Sequence, residues 1–354
     1  MIAIVLMWFM NERSFTFKLD IWGEVIKILN NQKLITFKES MSERSEQMLK
    51  ERIEKEIKKI KEDKSSGASE FTEKALEIFE AQLQLVRDGS QDITEEIHLI
   101  SREIIEARPS MAPLMNIVGY LIGSVQQITS EKLNERMGQF RSFRNQKQSA
   151  LESNFVRFIK ENAKNSLRVM TISYSSTLIN LFSKIKDYDI EFYVLESRPL
   201  FEGRRTAQIL SKSYKTNLIV DAAMGYFMEE MDFILFGIDS ILRDGSIINK
   251  IGTYPLSVLA QSKLKGVYAV GDSFKYNLKS HYGREVKIEQ KSSKEVYQDS
   301  ANNSLNVHNY YFDLTPSNYI RGIISDLGVN SPSEFISKVK ESLALEWFEP
   351  FLKE

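Results

Sequence analysis

The sequence contains no cysteine, which excludes disulfides, thiolate nucleophiles and sulfur-ligated metal and makes a reducing, cytoplasmic setting the expectation. Histidine is scarce too. His98, His281 and His308 stand neither at i, i+4 from one another nor beside a carboxylate motif, so no metal site is expected and each reads as an ordinary core or surface residue. Net charge is also missing: 47 Lys and Arg face 48 Asp and Glu, leaving no overall field to gather phosphate backbones or anionic lipid. Neither a membrane nor direct nucleic-acid contact is therefore expected. The apolar run from Met1 to Met10 is far shorter than the about 20 residues of a membrane-spanning helix. Asn11-Glu12-Arg13-Ser14 brings neither the basic leader nor the small-residue cleavage site of a secretory signal. Two phosphate fingerprints are absent as well. No G-x-G-x-x-G follows the first strand pattern and no G-x-x-x-x-G-K-[ST] occurs, so nicotinamide-dependent hydride transfer and P-loop phosphoryl transfer lose their usual support, and no cofactor is expected.

What is present is core material: 354 residues, 42% hydrophobic and 11% aromatic, enough for one large globular domain or two ordinary ones. Residues 1–40 read as an extension, with Met41 a candidate start and a short hairpin the alternative. From Glu43 to Glu62, interleaved charges and the stripe Leu49, Ile53, Ile57 and Ile60 predict an amphipathic helix. Further helices are predicted over Phe71–Val86, Ile93–Ala107, Met115–Val125 and Glu131–Lys164, which makes 41–165 a helical N-terminal domain.

The pattern changes at Leu167. Leu167–Ile172, Ile190–Leu195, Asn217–Val220, Phe233–Phe236 and Gly266–Val270 have strand length and are each separated by room for a helix. Residues 166–354 therefore predict a Rossmann-like α/β domain, a mostly parallel twisted sheet with helices on both faces. Ligands of such sheets bind beyond the carboxyl ends of the strands, so the residues just after each run are the candidates. Ser173-Tyr174-Ser175-Ser176-Thr177 offers hydroxyls and backbone N–H groups at a predicted helix start, read either as an anion cradle or as simple capping. Glu196-Ser197-Arg198-Pro199 with Gly203 and two more arginines suits a phosphate or carboxylate, or a solvated basic helix start. Asp239 stands at the end of a buried strand, where a carboxylate is costly unless it has a role or a partner. Asn249-Lys250-Ile251-Gly252-Thr253 adds an amide, an ammonium and a helix-opening Gly-Thr.

Glu196-Ser197-Arg198-Pro199 with Gly203, the stretch Gly237-Ile238-Asp239 to Gly252-Thr253, Gly271-Asp272-Ser273-Phe274-Lys275-Tyr276, Phe312-Asp313-Leu314-Thr315-Pro316 and Asp326-Leu327-Gly328 occur in one order and spacing. In these the chain from Met41 onward resembles the regulatory alpha, beta and delta subunits of eukaryotic translation initiation factor 2B. It also resembles their relatives, the methylthioribose-1-phosphate and archaeal ribose-1,5-bisphosphate isomerases, at Gly67-Ala68 and Arg108-Pro109-Ser110. The resemblance implies that these last segments, with Ser175, Glu196, Arg198, Gly203, Asn249 and Lys250, bind a phosphorylated sugar or nucleotide. It implies too that Asp239 matches the isomerases' aspartate, which works with a cysteine to open the sugar ring and move protons between the first two carbons.

That cysteine position is Ser173 here, a far weaker acid than a thiol. Ser66 stands where the isomerases commonly carry an arginine, and Ile172 where they carry a histidine. Three departures at one pocket make a regulatory or binding protein with lost isomerase chemistry the first expectation. An aldose-ketose isomerase using Asp239 with Ser173, or with another acid such as Glu196, is the alternative, and an unrelated enzyme on the same scaffold the third. The resemblance further implies a homodimer, with a higher oligomer open, and association with translation initiation factor 2 or paralogous subunits.

Overall fold

The computed structural model describes residues 47, 50–63, 67–86, 91–123, 125–163, 166–298 and 304–343. The expectations for residues 1–40 and for a start at Met41 lie outside the described residues. Of the unit Met1–Ile53, the described residues are helical; Glu54–Glu354 form a second compact unit. In that second unit a helix over 54–62 is followed by α1 (Ala68–Leu83), α2 (Thr94–Ala107), α3 (Ala112–Ile122) and α4 (Ser130–Asn162). Helix α3 buries ten of its residues, as a helix apolar on every side must. Its one polar side chain there, Asn116, donates through Nδ2 to the carbonyl of Tyr276 at 2.8 Å and to that of Phe274. Helix α4 begins at a Thr129 cap, whose Oγ1 accepts from the Lys132 N–H at 3.3 Å, and runs for 33 residues onto the sheet.

The main sheet holds β1 (Leu167–Ile172), β2 (Ile190–Leu195), β3 (Lys215–Ile219), β4 (Phe233–Gly237), β7 (Gly266–Val270), β9 (Gly322–Ser325) and β10 (Gly328–Asn330), in the order β10-β9-β7-β4-β1-β2-β3. All pairs are parallel except β9 with β10. The strand runs read from the sequence coincide with β1, β2 and β7, and with β3 and β4 to within two residues at either end. A second, antiparallel sheet pairs β5 (Ser240–Ile241), β6 (Ile247–Lys250) and β8 (Phe312–Thr315).

Both faces of the main sheet are covered, and the period of two sorts its side chains between them. Leu167, Val169, Phe233 and Leu235 pack with Phe155, Phe158 and Ile159 of α4, while Met170, Ile172, Ile234 and Phe236 pack with Met115, Leu256 and Ala260. Helices α5 (Ser176–Phe182), α6 (Glu202–Leu210), α7 (Thr253–Ser262) and α8 (Pro332–Ser342) surround the sheets, with single helical turns at Met224–Phe227 and Leu278–His281. The approach of α6 is unusually close: a Cβ on Gly203 would lie 1.7 Å from the Leu195 carbonyl oxygen, so only glycine fits. From β1 the chain winds outward to β2 and β3; it then returns to place β4 on the other side of β1. This switch point leaves a crevice beyond the carboxyl ends of β1 and β4. No helix among the described residues is long and apolar enough to cross a membrane.

Candidate functional site

The crevice is a cleft of about 690 Å³, a figure that includes space open to solvent. Its wall from the sheet includes Ser173, Tyr174 and Ser175 after β1, Asp239 after β4, Asn249 and Lys250 on β6, and Lys275 after β7. Gly67, Phe71 and Arg108 come from the helical region, and Glu202 from the start of α6. Of the residues the sequence singled out, the structure thus brings together Asp239, Ser173, Gly67, Arg108, Ser175, Asn249 and Lys250.

Ser173 is held in the left-handed region at φ 67°, which is uncommon and costly for a residue with a Cβ. Two bonds hold it there: its N–H donates to Ser197 Oγ at 2.7 Å and its carbonyl accepts from Thr206 Oγ1 at 2.7 Å. Ser197 is anchored in turn, because the N–H groups of Ser197 and Arg198 both reach the Asp221 carboxylate at 2.7 Å. Ser175 caps α5, accepting from the Leu178 N–H at 3.3 Å, and lies so close to Gly237 that a Cβ there would meet its Oγ at 2.7 Å.

Asp239 is fixed through its backbone, whose N–H donates to the Ile248 carbonyl at 3.1 Å. Its carboxylate accepts no hydrogen bond from another side chain or N–H among the described residues. Burial pushes its pKa up to about 6, with Glu202 adding to the rise and the ammonium groups of Lys275 and Lys250 opposing it. Both cations are committed elsewhere. Lys275 Nζ donates to the Ile238 carbonyl at 2.6 Å, and burial lowers its pKa; Lys250 Nζ donates to Glu202 Oε1 at 2.7 Å and lies 5.3 Å from the centre of the Tyr311 ring. Asn249, with its amide turned to satisfy both ends, donates to the Gly237 carbonyl at 2.9 Å and so ties β6 to the end of β4. Asp313 accepts from the N–H groups of Gly252 at 2.7 Å and Tyr254 at 3.2 Å, capping α7; burial lifts its pKa to about 6 against those bonds.

Arg108 reaches the cleft but spends part of its guanidinium on carbonyls at the end of the preceding helix, with Nε donating to Ile60 at 3.0 Å and Nη2 to Asp63. Glu196, Arg198 and Gly203 do not line the cleft, and Ala68 is placed only as the first residue of α1. Glu196 Oε2 instead accepts from Arg204 at 2.9 Å. Arg198 and Arg204 stack over Phe201, outside the cleft lining, whereas Arg205 stacks over Tyr174, a ring of the cleft wall. Gly203 serves the close packing of α6 on β2. Lys275 and Glu202 were missed as site residues. The only signal for either was its place inside a motif following a strand.

Together the doubly wound sheet and its cleft, which gathers Asp239 and Glu202 with Lys250, Lys275 and Arg108, define a Rossmann-like protein with a charged site at the switch point. Residues 64–332 match the model of the Initiation factor 2 subunit family, and the chain belongs to that family. It is 28% identical over 287 residues to a ribose 1,5-bisphosphate isomerase of Methanocaldococcus jannaschii, a match covering 79% of this chain and 92% of the relative. It is also 28% identical over 291 residues to a Pyrococcus horikoshii protein named as an eIF-2B subunit 2-like translation initiation factor, covering 80% and 98%. Among solved structures, the translation initiation factor eIF-2B of Pyrococcus horikoshii OT3 superposes with a TM-score of 0.69 at 26% identity, covering 81% of this chain and 99% of that one. The isomerase relatives favour the alternative drawn from the sequence over the expectation that isomerase chemistry is lost.

Proposed function

We propose that the protein is an aldose-ketose isomerase acting on ribose 1,5-bisphosphate or a related sugar 1-phosphate. The observation that carries this reading is Asp239, a carboxylate left without a hydrogen-bond partner in the cleft, with its pKa raised to about 6. A group poised near neutrality both takes and returns a proton readily. The phosphate groups of the substrate are met by Lys275 and Arg108, which line the same cleft as Lys250.

The substrate's own chemistry sets the steps. An aldose 1-phosphate carries its phosphate on O1, so its ring opens by breaking the bond between C1 and the ring oxygen, with a proton delivered to that oxygen. Asp239 takes the C2 hydrogen as a proton, leaving an enol phosphate. The proton returns at C1 while O2 loses its own, which gives the ketose. Ser173, held at φ 67° beside the cleft, offers its hydroxyl for orientation of the sugar; no base among its bonded neighbours makes it the acid.

Phosphorus NMR of ribose 1,5-bisphosphate and of methylthioribose 1-phosphate, incubated with the protein and with its Asp239→Asn variant, tests the reading. Turnover by the parent, lost in the variant, is the expected result. Silence in both, at high protein concentration and long times, overturns the isomerase reading for these substrates and leaves the regulatory or partner-binding reading.

A further inference from the structure

The isomerisation needs two proton carriers, and Asp239 accounts for one. Comparing substrate with product, one hydrogen moves from C2 to C1 and another from O2 to the ring oxygen. The second transfer is between oxygens and needs a group that both gives and accepts a proton. With no cysteine in the chain, no thiol is available for it.

The cleft holds one further carboxylate with an unused oxygen. Glu202 begins α6 and binds Lys250 through Oε1 at 2.7 Å; its Oε2 is buried with no hydrogen-bond partner. A glutamate serving only as counter-ion to Lys250 is expected to share both oxygens or leave the second to solvent, because a sealed, undonated carboxylate oxygen is costly. Glu202 is also rigidly placed. Gly203 is pressed against the Leu195 carbonyl, and Thr206, one turn on, is bonded to Ser173. Charge connects it to the first carrier, since Glu202 raises and Lys250 lowers the proton affinity of Asp239.

We infer that Glu202 and Lys250 act as one unit carrying the second proton. The Lys250 ammonium gives its proton to the ring oxygen as the C1–O bond breaks, and Glu202 accepts the O2 proton as the C2 carbonyl forms. Transfer across the 2.7 Å Glu202–Lys250 bond restores the pair, so one proton enters and one leaves in each turnover. No further co-reactant is needed.

This inference rests on the isomerase reading, and one set of assays separates the two. The full chain and its Glu202→Gln and Glu202→Ala variants are assayed on ribose 1,5-bisphosphate, with melting temperatures measured for each. The expected result is a fall in kcat of about 10²–10⁴-fold in Glu202→Gln with KM moving by less than about threefold. Added formate or acetate is expected to restore part of the rate in Glu202→Ala, which a merely structural role would not allow. Glu202→Gln turnover within about threefold of the parent overturns the inference while leaving the isomerase intact. Loss in both variants without rescue by formate also overturns it, making Glu202 only the residue that positions Lys250. Silence of the parent chain removes the isomerase reading itself, and the inference with it.

Discussion

Asp326 and Asp239 each follow a strand of the same sheet and each has a lysine nearby, yet they are built on opposite terms. Asp326 is saturated: it accepts from the Ser273 N–H at 2.6 Å, from Ser273 Oγ at 2.8 Å and from Lys147 Nζ at 2.8 Å. Lys147 belongs to α4, so this cluster fastens the long helix to the sheet, helped by Asn154 donating to the Ser325 carbonyl at 2.9 Å. Asp239 has cations within electrostatic reach that are tied to other acceptors. A carboxylate that holds a fold together takes its cation directly. One whose neighbouring cations are withheld keeps its lone pairs for something that arrives from outside, and the fold carries the cost.

The comparison breaks first on activity. Asp239→Asn should lower turnover of the sugar phosphate by about 10²–10⁴-fold, read by phosphorus NMR, whereas Asp326→Asn should leave kcat per folded molecule unchanged. On stability the order reverses. Asp326→Ala removes the carboxylate that ties the partly buried Lys147 and the Ser273 turn together, leaving Lys147 only its bond to Ser273 Oγ, and should cost about 1–3 kcal/mol in urea unfolding. Asp239→Asn should stabilise the protein by up to about 2–3 kcal/mol at pH 7.5. The sign follows from the direction of the shift: a carboxyl whose folded pKa of about 6 exceeds its ordinary 3.8 opposes folding above pH 6, and that opposition fades as pH falls from 6 toward 4. The gain from Asp239→Asn should therefore shrink to under about 1 kcal/mol by pH 4 and vanish below about pH 3, and a full gain that persisted there would remove the raised pKa as its cause.

Two smaller tests sharpen the boundary between site and scaffold. Gly203→Ala drives a methyl group into the Leu195 carbonyl and should cost about 3 kcal/mol, measured by thermal unfolding. Arg198→Ala, outside the cleft on the Phe201 ring, should shift KM by less than about threefold, a change worth under 1 kcal/mol.

Five of the six parallel strands were legible because each carries a short, mostly apolar run set off by polar segments, Ile190–Leu195, buried along its whole length, being the clearest; β9 (Gly322–Ser325), four residues opened by a glycine and closed by a serine, was not. The small antiparallel sheet was not. β5 is two residues long, and β6 finds its partner β8 more than 60 residues away, Asn249 opposite Asp313, so no local pattern announces it. Asp239 was legible from its place after β4. The stacking of the arginines after β2 was not legible, because local charge density does not say that Arg198 and Arg204 lie on the Phe201 ring and Arg205 on Tyr174 in the cleft wall. Lys275 comes under the Ile238 carbonyl only because its turn is bound by Asn116, 158 residues earlier in the case of Phe274.

The insertion of β4 beside β1 also dictates an order of events. Helices α1 to α4 close on contacts near in sequence, but the cleft requires β1 to wait through two further strands before β4 arrives beside it, and β6 to wait for β8. Loop closure over such distances is slow. During refolding, far-UV helical signal should therefore return well before the capacity to bind ligand, and synthesis from the ribosome should leave the site unfinished until the last third of the chain has emerged.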